Sequence, residues 1–311
     1  MPDAPTSEVD LAIVGGGFAG LTAGLIAARA GLDVTLFDRM GPGGQLLNVD
    51  RVENYPGFPV GVAGYELGPA ALEQATAAGM KIEYAEVRSL TLDGARWTLD
   101  TDGGPVGVKA VVVATGSELA KLGLPGEEEL HGRGVSYCAT CDAEFFRDQD
   151  VVVAGGGDSA LDETLVLAPV ARSVTLVTHG EVSGATSTAE RVRSLENVQI
   201  RSGSEVTELH AGDGLEGVSV TSTDGGAPER LQVSGLFVYV GLDANTSLLD
   251  GLIPLDGAGH VEVDAMMATS QPGLFVAGDL RANSVRLLAS CAGDGATAAV
   301  AAERYIRALP R

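Results

Sequence analysis

Two stretches of the chain repeat one order of apolar and polar positions. In VDLAIVGGGFAGLTAGLIAARAGLDVTLFDR an apolar run leads into a glycine turn, an alanine-rich stretch and a second apolar run that ends in Asp38. That order predicts strand, turn, helix and strand, a βαβ unit. It returns in DVVVAGGGDSALDETLVLAPVARSVTLVTHGEVSGATS, where apolar runs again flank a helical stretch.

The glycines within these turns carry chemistry. Gly15, Gly17 and Gly20 stand at the G-x-G-x-x-G spacing, which allows a tight turn, close approach of backbone to a pyrophosphate, and packing of helix on strand. Asp38, at the end of the second strand, is placed to accept hydrogen bonds from a ribose diol. A glycine turn alone can serve packing, but strand, helix, strand and acid together favour a dinucleotide. Gly155, Gly157 and Ala160 repeat the spacing. The strand after that second turn ends in VTLVTHGEVSGA, so His179, Gly180 and Gly184 stand where arginines would hold an NADP 2′-phosphate. Glu181 is suited to an NADH ribose or to solvent. Packing alone is an equal reading of this second loop.

Between the two units lies GVSYCATCDAEFF, with Cys138 and Cys141 two residues apart and Asp142 directly behind. Such a pair can be half of a zinc site, a cluster ligand pair, a redox disulfide or coincidence. Zinc needs further ligands, and Cys291 with the scattered His131, His179, His210 and His260 offers no ligand spacing. A redox pair needs two close thiols, one stabilised as thiolate, and a proton donor, which Cys138, Cys141 and Asp142 supply. Its place between two nucleotide loops favours the redox reading.

Composition narrows the setting. A length of 311 residues allows about two domains. Three cysteines are not the even, dense pattern of a secreted scaffold, so a reducing, cytoplasmic location is expected. The leader MPDAPTSEVD carries no targeting pattern, and no apolar stretch reaches the roughly 20 residues that span a bilayer. A formal charge of -22 repels phosphate backbones and anionic lipid, which argues against nucleic-acid and membrane partners.

Taken jointly, the first glycine loop, PGGQLLNVDRVENYPGFP, the ATG turn at Ala114 to Gly116, CATCD, GGGDSA, GLFVAGD and AGDGATAA resemble the low-molecular-weight bacterial thioredoxin reductases. The resemblance implies an α/β fold of two Rossmann-like three-layer domains of the FAD/NAD(P)-linked reductase type, the second inserted into the first. The FAD domain would comprise residues 1–117 and 246–311, and a pyridine-nucleotide-type domain bearing the cysteines would comprise 118–245. The resemblance further implies FAD held by Gly15, Gly17, Gly20, Asp38, Gln45, Asn54, the Thr115–Gly116 turn and Asp279, the last beside a helix that starts near AGDG. Cys138 takes the position that attacks a substrate disulfide, Cys141 the position facing the flavin, and Asp142 that of the acid protonating the leaving thiolate. A homodimer and a rotating inserted domain are implied as well.

Two departures matter. The family's NADPH arginines are absent at His179, Gly180 and Gly184, which leaves the use of NAD(P)H open. Its Arg-Gln pair before the final helix is Arg286 and Leu287 here, with an apolar residue at the flavin edge. Three functions therefore stand side by side: a reductase of thioredoxin or a similar small redox protein, fed by NADH, weakly by NADPH or by ferredoxin; an oxidase that forms disulfides in a small dithiol with O2 as acceptor; and a flavin redox sensor without turnover. Among lesser signals, Cys291 reads as a buried inert thiol, Trp97 as packing in a surface hairpin, GLPGEEELHGRGV as a domain crossing, and Asp162 and Glu163 as acids at a helix start.

Overall fold

The computed structural model describes residues 8–310; the leader MPDAPTS, read above as free of a targeting signal, lies outside the described residues. The apolar run that opens the first unit is strand β1 (Glu8–Val14), and its alternate residues face two different cores. Leu11 and Ile13 join one, Ala12 and Val14 the other, as a strand covered on both faces requires. Helix α1 (Phe18–Arg29) follows, and its small Ala19, Ala23 and Ala27 are buried. Next come β2 (Val34–Phe37), α2 (Gly64–Ala77), β3 (Lys81–Glu83), β4 (Val87–Asp93), β5 (Arg96–Thr101), β6 (Gly104–Val113) and β7 (Ser117–Leu119).

β3, β2, β1 and β6 are parallel, and β6, β5 and β4 turn back antiparallel to complete the order β3-β2-β1-β6-β5-β4. The hairpin of β4 and β5 is an arm of this sheet, which changes the role of Trp97. Expected on a surface hairpin, it is fully buried, shares a core with Leu99 and Leu249, and donates from Nε1 to the Pro272 carbonyl at 3.1 Å.

By contacts the chain divides into a unit of residues up to 118 and from 243 onward, and a second unit of residues 119–242. The second contains β8 (Val135–Ser136), α3 (Ala139–Asp142), β9 (Asp150–Ala154), α4 (Asp158–Leu167), β10 (Ser173–Thr178), α5 (Thr186–Arg193), β11 (Val198–Ser202), β12 (Ser204–Ala211), β13 (Leu215–Ser222), β14 (Glu229–Leu231) and β15 (Gly235–Val238). Its main sheet is parallel in the order β11-β10-β9-β15-β8, and β12-β13-β14 form a separate antiparallel sheet. Val151 and Val153 pack toward α4 with Leu161 and Leu167, while Val152 and Ala154 pack toward Val218 and Val220 of the antiparallel sheet. Three layers result.

The chain re-enters the first unit through β16 (Leu242–Ala244), then forms β17 (Leu274–Val276) beside β6 and ends in α6 (Leu288–Ala308). α6 lies so close to α1 that a Cβ on Gly295 would sit 2.1 Å from the Ala19 carbonyl. The stretch GLPGEEELHGRGV, expected to be the crossing, belongs wholly to the second unit. Glu127 explains why: 2% exposed, it accepts from the backbone N–H groups of Leu122 and Gly123 at 2.9 and 2.8 Å and from the Tyr137 hydroxyl at 2.7 Å. A charged, turn-rich segment is thus folded around one buried carboxylate. No helix among the described residues is long and apolar enough to cross a membrane.

Candidate active site

Cys138 and Cys141 are joined as a disulfide with Cα atoms 5.3 Å apart. Cys138 is the N-cap of the single-turn helix α3, and its sulfur accepts from the Cys141 N–H at 3.2 Å. A residue the sequence did not single out ties Asp142 to this turn. Ser136 Oγ accepts from the Cys138 N–H at 3.1 Å and donates to Asp142 Oδ2 at 2.6 Å. One hydroxyl therefore fixes both the backbone of the first cysteine and the carboxyl group behind the second. Ser136 is 1% exposed, so this bond is shielded from water. Serine at the end of a short strand gives no sequence signal of such a role.

Two further donors of α3 are held from outside it. The Ala139 N–H reaches the Tyr239 hydroxyl at 2.9 Å, and the Thr140 N–H reaches Glu163 Oε2 at 3.3 Å. Glu163, expected to meet the dipole of its own helix, instead faces the start of α3. Burial raises the Glu163 carboxyl above its ordinary range, against the lowering influence of the Thr140 and Ala139 N–H groups. Tyr239 is buried, and burial followed by the Glu163 charge raises its phenol.

In the first unit, neighbouring parallel strands bring the expected cofactor residues to one end of the sheet. Gly15 follows β1, Thr115 and Gly116 follow β6, and Asp279 follows β17, at carboxyl ends where open α/β sheets bind nucleotides. Gly15 has φ +106°, and an added Cβ would lie 2.4 Å from the Ala114 carbonyl oxygen. At Gly20 the same atom would lie 2.0 Å from the Gly15 carbonyl, whereas Gly17 faces open space. No side chain caps the start of α1. Its first N–H groups and the room above Gly17 fit a dinucleotide pyrophosphate.

Asp38 organises the adjoining loop. Its Oδ2 accepts from Gly16 N–H at 2.7 Å, and Oδ1 from Met40 and Gly41 N–H at 2.9 and 2.8 Å. A carboxylate has about four acceptor positions, so room for a ribose hydroxyl remains. Thr115 is bound to Asn245, donating from Oγ1 to its carbonyl at 2.7 Å and accepting from Nδ2 at 3.1 Å. Gln45 donates to the Ser117 carbonyl, while the buried Ser117 hydroxyl finds no partner among the described residues. Asn54 is exposed.

Near the carboxyl terminus the expected start of the last helix shifts. α6 begins at Leu288 rather than at AGDG, because Ser290 Oγ accepts from the Leu287 N–H at 3.2 Å and closes the first turn there. Asp294 within AGDG is consequently buried in the second turn, where it accepts from Arg281 at 2.6 and 3.0 Å and from Gly278 N–H at 3.2 Å. This buried pair, missed in the sequence, fixes the GDLR loop that carries Asp279. Asp279 Oδ1 accepts from Ser284 Oγ at 2.8 Å and from the Cys291 thiol at 3.5 Å. Burial, then the Asp279 charge, pushes the Cys291 thiol up to about 12, so it stays protonated at neutral pH. Arg286 and Leu287 are exposed, and Arg286 adopts φ +55°.

The second glycine turn borders a cavity of about 630 Å³ lined by Gly155, Gly156, Gly157, Thr178, His179 and Glu181 among others. Ala160 is buried under the turn. Among the described residues no guanidinium lines the cavity; its charged lining is Lys121, which pairs with Glu128, together with Glu181 and Glu205, the latter 3.4 Å from His179 Nδ1. A Cβ on Gly184 would sit 2.6 Å from Leu161 Cδ1 and 3.1 Å from the Asp158 nitrogen, so no side chain is easily placed there.

A redox disulfide in one unit and a dinucleotide turn in the other define a flavoprotein disulfide oxidoreductase. The family profile described as pyridine nucleotide-disulphide oxidoreductase matches residues 9–302, and the chain belongs to that family, within its thioredoxin-reductase branch. It is 40% identical over 299 residues to the thioredoxin reductase of Mycolicibacterium smegmatis, covering 96% of each chain. The crystal structure of the Lactococcus lactis thioredoxin reductase superposes with a TM-score of 0.94 at 34% identity, covering 97% of this chain and 100% of that one. A ferredoxin-flavin thioredoxin reductase from Clostridium acetobutylicum is more distant, with a TM-score of 0.53 at 26% identity over 96% of this chain and 98% of that one.

Proposed function

We propose that the chain is an FAD enzyme that reduces the disulfide of a thioredoxin-like protein, and that its electrons do not come from NADPH. FAD, when bound, supplies a carrier that takes and gives two electrons. The turn from Gly15 to Gly20 would hold its pyrophosphate, Asp38 its ribose, and Gln45, Thr115, Gly116 and Asp279 the remainder; Asn54, Arg286 and Leu287 belong to the same expected set. Reduced, the Cys138 thiolate attacks the partner's disulfide and forms a mixed disulfide. Cys141 then attacks Cys138, re-forming the internal disulfide and releasing the partner as a dithiol. Asp142, held by Ser136 at 2.6 Å, supplies the proton to the departing thiolate. The observation that carries the reading is this serine-linked cysteine and aspartate turn.

The lining of the second cavity supports NADH as the donor. A 2′-phosphate would meet Glu181 and Glu205, no guanidinium, and one ammonium, Lys121, that is already paired with Glu128, whereas the ribose diol of NADH would meet acceptors. NADH is therefore the donor of this reading. Reduced ferredoxin is the second, supported by the likeness to the clostridial enzyme. A homodimer in a reducing, cytoplasmic compartment completes the proposal; the sparse cysteines support the compartment. Anaerobic titration tests the donor: NADH should bleach the flavin band and NADPH should not. Bleaching by reduced ferredoxin alone selects the second donor. Bleaching by a small dithiol alone, with colour returning in air and hydrogen peroxide formed, overturns the reductase in favour of the oxidase. Flavin and disulfide that can be reduced without turnover toward any acceptor select the sensor.

A further inference from the structure

The first three N–H groups of α3 belong to Ala139, Thr140 and Cys141, and one of the three serves the Cys138 sulfur. Cys141 N–H points to Cys138 Sγ, while those of Ala139 and Thr140 are taken by Tyr239 and Glu163. Tyr239 stands just after β15 and Glu163 in the second turn of α4, so two separate elements reach under the redox turn. We propose that Glu163 and Tyr239 are positioning residues that compete for the donors of α3 and thereby set how readily Cys138 becomes a thiolate. The inference rests on the disulfide-reductase reading but concerns the thiol alone.

The effect is electrostatic. A thiolate at Cys138 gains from every N–H aimed at it and loses from every nearby carboxylate. An ionised Glu163 acts both ways, withdrawing one donor and adding a negative charge. A protonated Glu163 removes the charge. Its raised carboxyl places that switch above the ordinary carboxylate range. The groups facing the pair are the two sulfurs and Asp142 on α3 and Asp162 on α4 itself, with Asp162 raising Glu163 further and Asp142 bearing on Tyr239. The cores of α5, β9 and β10 meet α4 with Ala189, Val192, Val151, Val153, Val174 and Leu176, all apolar.

The test is the pH dependence of Cys138 alkylation by iodoacetamide in the full-length holoprotein. Dithiothreitol reduces the disulfide, giving two electrons and two protons and closing to its own cyclic disulfide, and is removed anaerobically. Mass spectrometry then follows the Cys138 peptide. Glu163→Gln should raise the alkylation rate about threefold at a fixed pH below the thiol midpoint, and Tyr239→Phe should move it the same way. Lost stability with an unchanged profile would indicate mere structural support, and a change under twofold in both variants overturns the proposal. Should either variant fail to fold, the other decides; should both, the parent does. Its profile should show a second, lower inflection as Glu163 titrates, and a single inflection overturns the idea. The readout needs neither donor nor partner, so a shifted profile in a chain that cannot reduce thioredoxin would sink only the proposed function.

Discussion

At the scale of single residues, the redox turn depends on groups that a motif does not contain. Ser136→Ala removes a hydroxyl donor to Asp142 and the acceptor for Cys138 N–H, leaving a half-buried N–H unpaired. An unsatisfied buried group costs about 1–3 kcal/mol, and a misplaced acid loses part of a general acid contribution of roughly 10²–10⁴. Turnover with a thioredoxin-type substrate should fall about tenfold in Ser136→Ala and at least a hundredfold in Asp142→Asn, flavin content unchanged in both. Stopped-flow rates beside the flavin absorbance decide it; lost flavin would contradict the assignment. Glu163 adds a pH effect whose sign is fixed by its raised carboxyl. An acid whose folded value lies above its unfolded value, about 4.3 for Glu, destabilises the fold as pH rises between the two. Melting temperature should therefore decline through that window in the parent and stay flatter in Glu163→Gln, as thermal scans across pH would show.

Among the elements, the Arg281 and Asp294 pair joins the loop after β17 to the second turn of α6. The two side chains are 15% and 8% exposed, so screening is weak. Arg281→Met would leave Asp294 charged, buried and without its bidentate partner, at a cost of about 3–5 kcal/mol. The expected outcome is a large loss of stability with weakened flavin retention, checked by denaturant unfolding and by flavin released on dilution. The double variant Arg281→Met with Asp294→Leu should recover much of it. This pair also marks the limit of what the sequence reveals. β1, α1, β2 and their counterparts β9, α4, β10 were legible because apolar runs and glycine spacing are local signals. The partners of Asp294, Glu127 and Ser136 were not, since each bond depends on where the chain returns. Trp97 was misplaced for the same reason: β5 pairs with β6, but its burial comes from Leu249 and Pro272, far along the chain.

Over the whole molecule, a charge of -22 sets the field in which any phosphate must bind. In the second cavity Glu181 and Glu205 outnumber the one ammonium, Lys121, itself paired with Glu128, so discrimination against a 2′-phosphate has a short-range and a long-range part. Arginines at His179 and Gly180 should reverse the first. Gly184 is a poor third site, because its Cβ would press on Leu161 and the Asp158 backbone. A charge-assisted contact contributes roughly 1.5–3 kcal/mol, and exposure of both positions favours the low end. The double variant His179→Arg with Gly180→Arg should thus bind NADPH about tenfold more tightly, while NADH binding changes little. Because exposed charges are screened, the gain should shrink as salt rises from low to about 0.15 M. Equilibrium titration at two ionic strengths measures both quantities. A gain independent of salt would point to packing rather than charge. No gain, with NADH equally inert, would mean that the glycine turn at Gly155 and Gly157 serves strand-to-helix packing and that electrons arrive from a protein carrier.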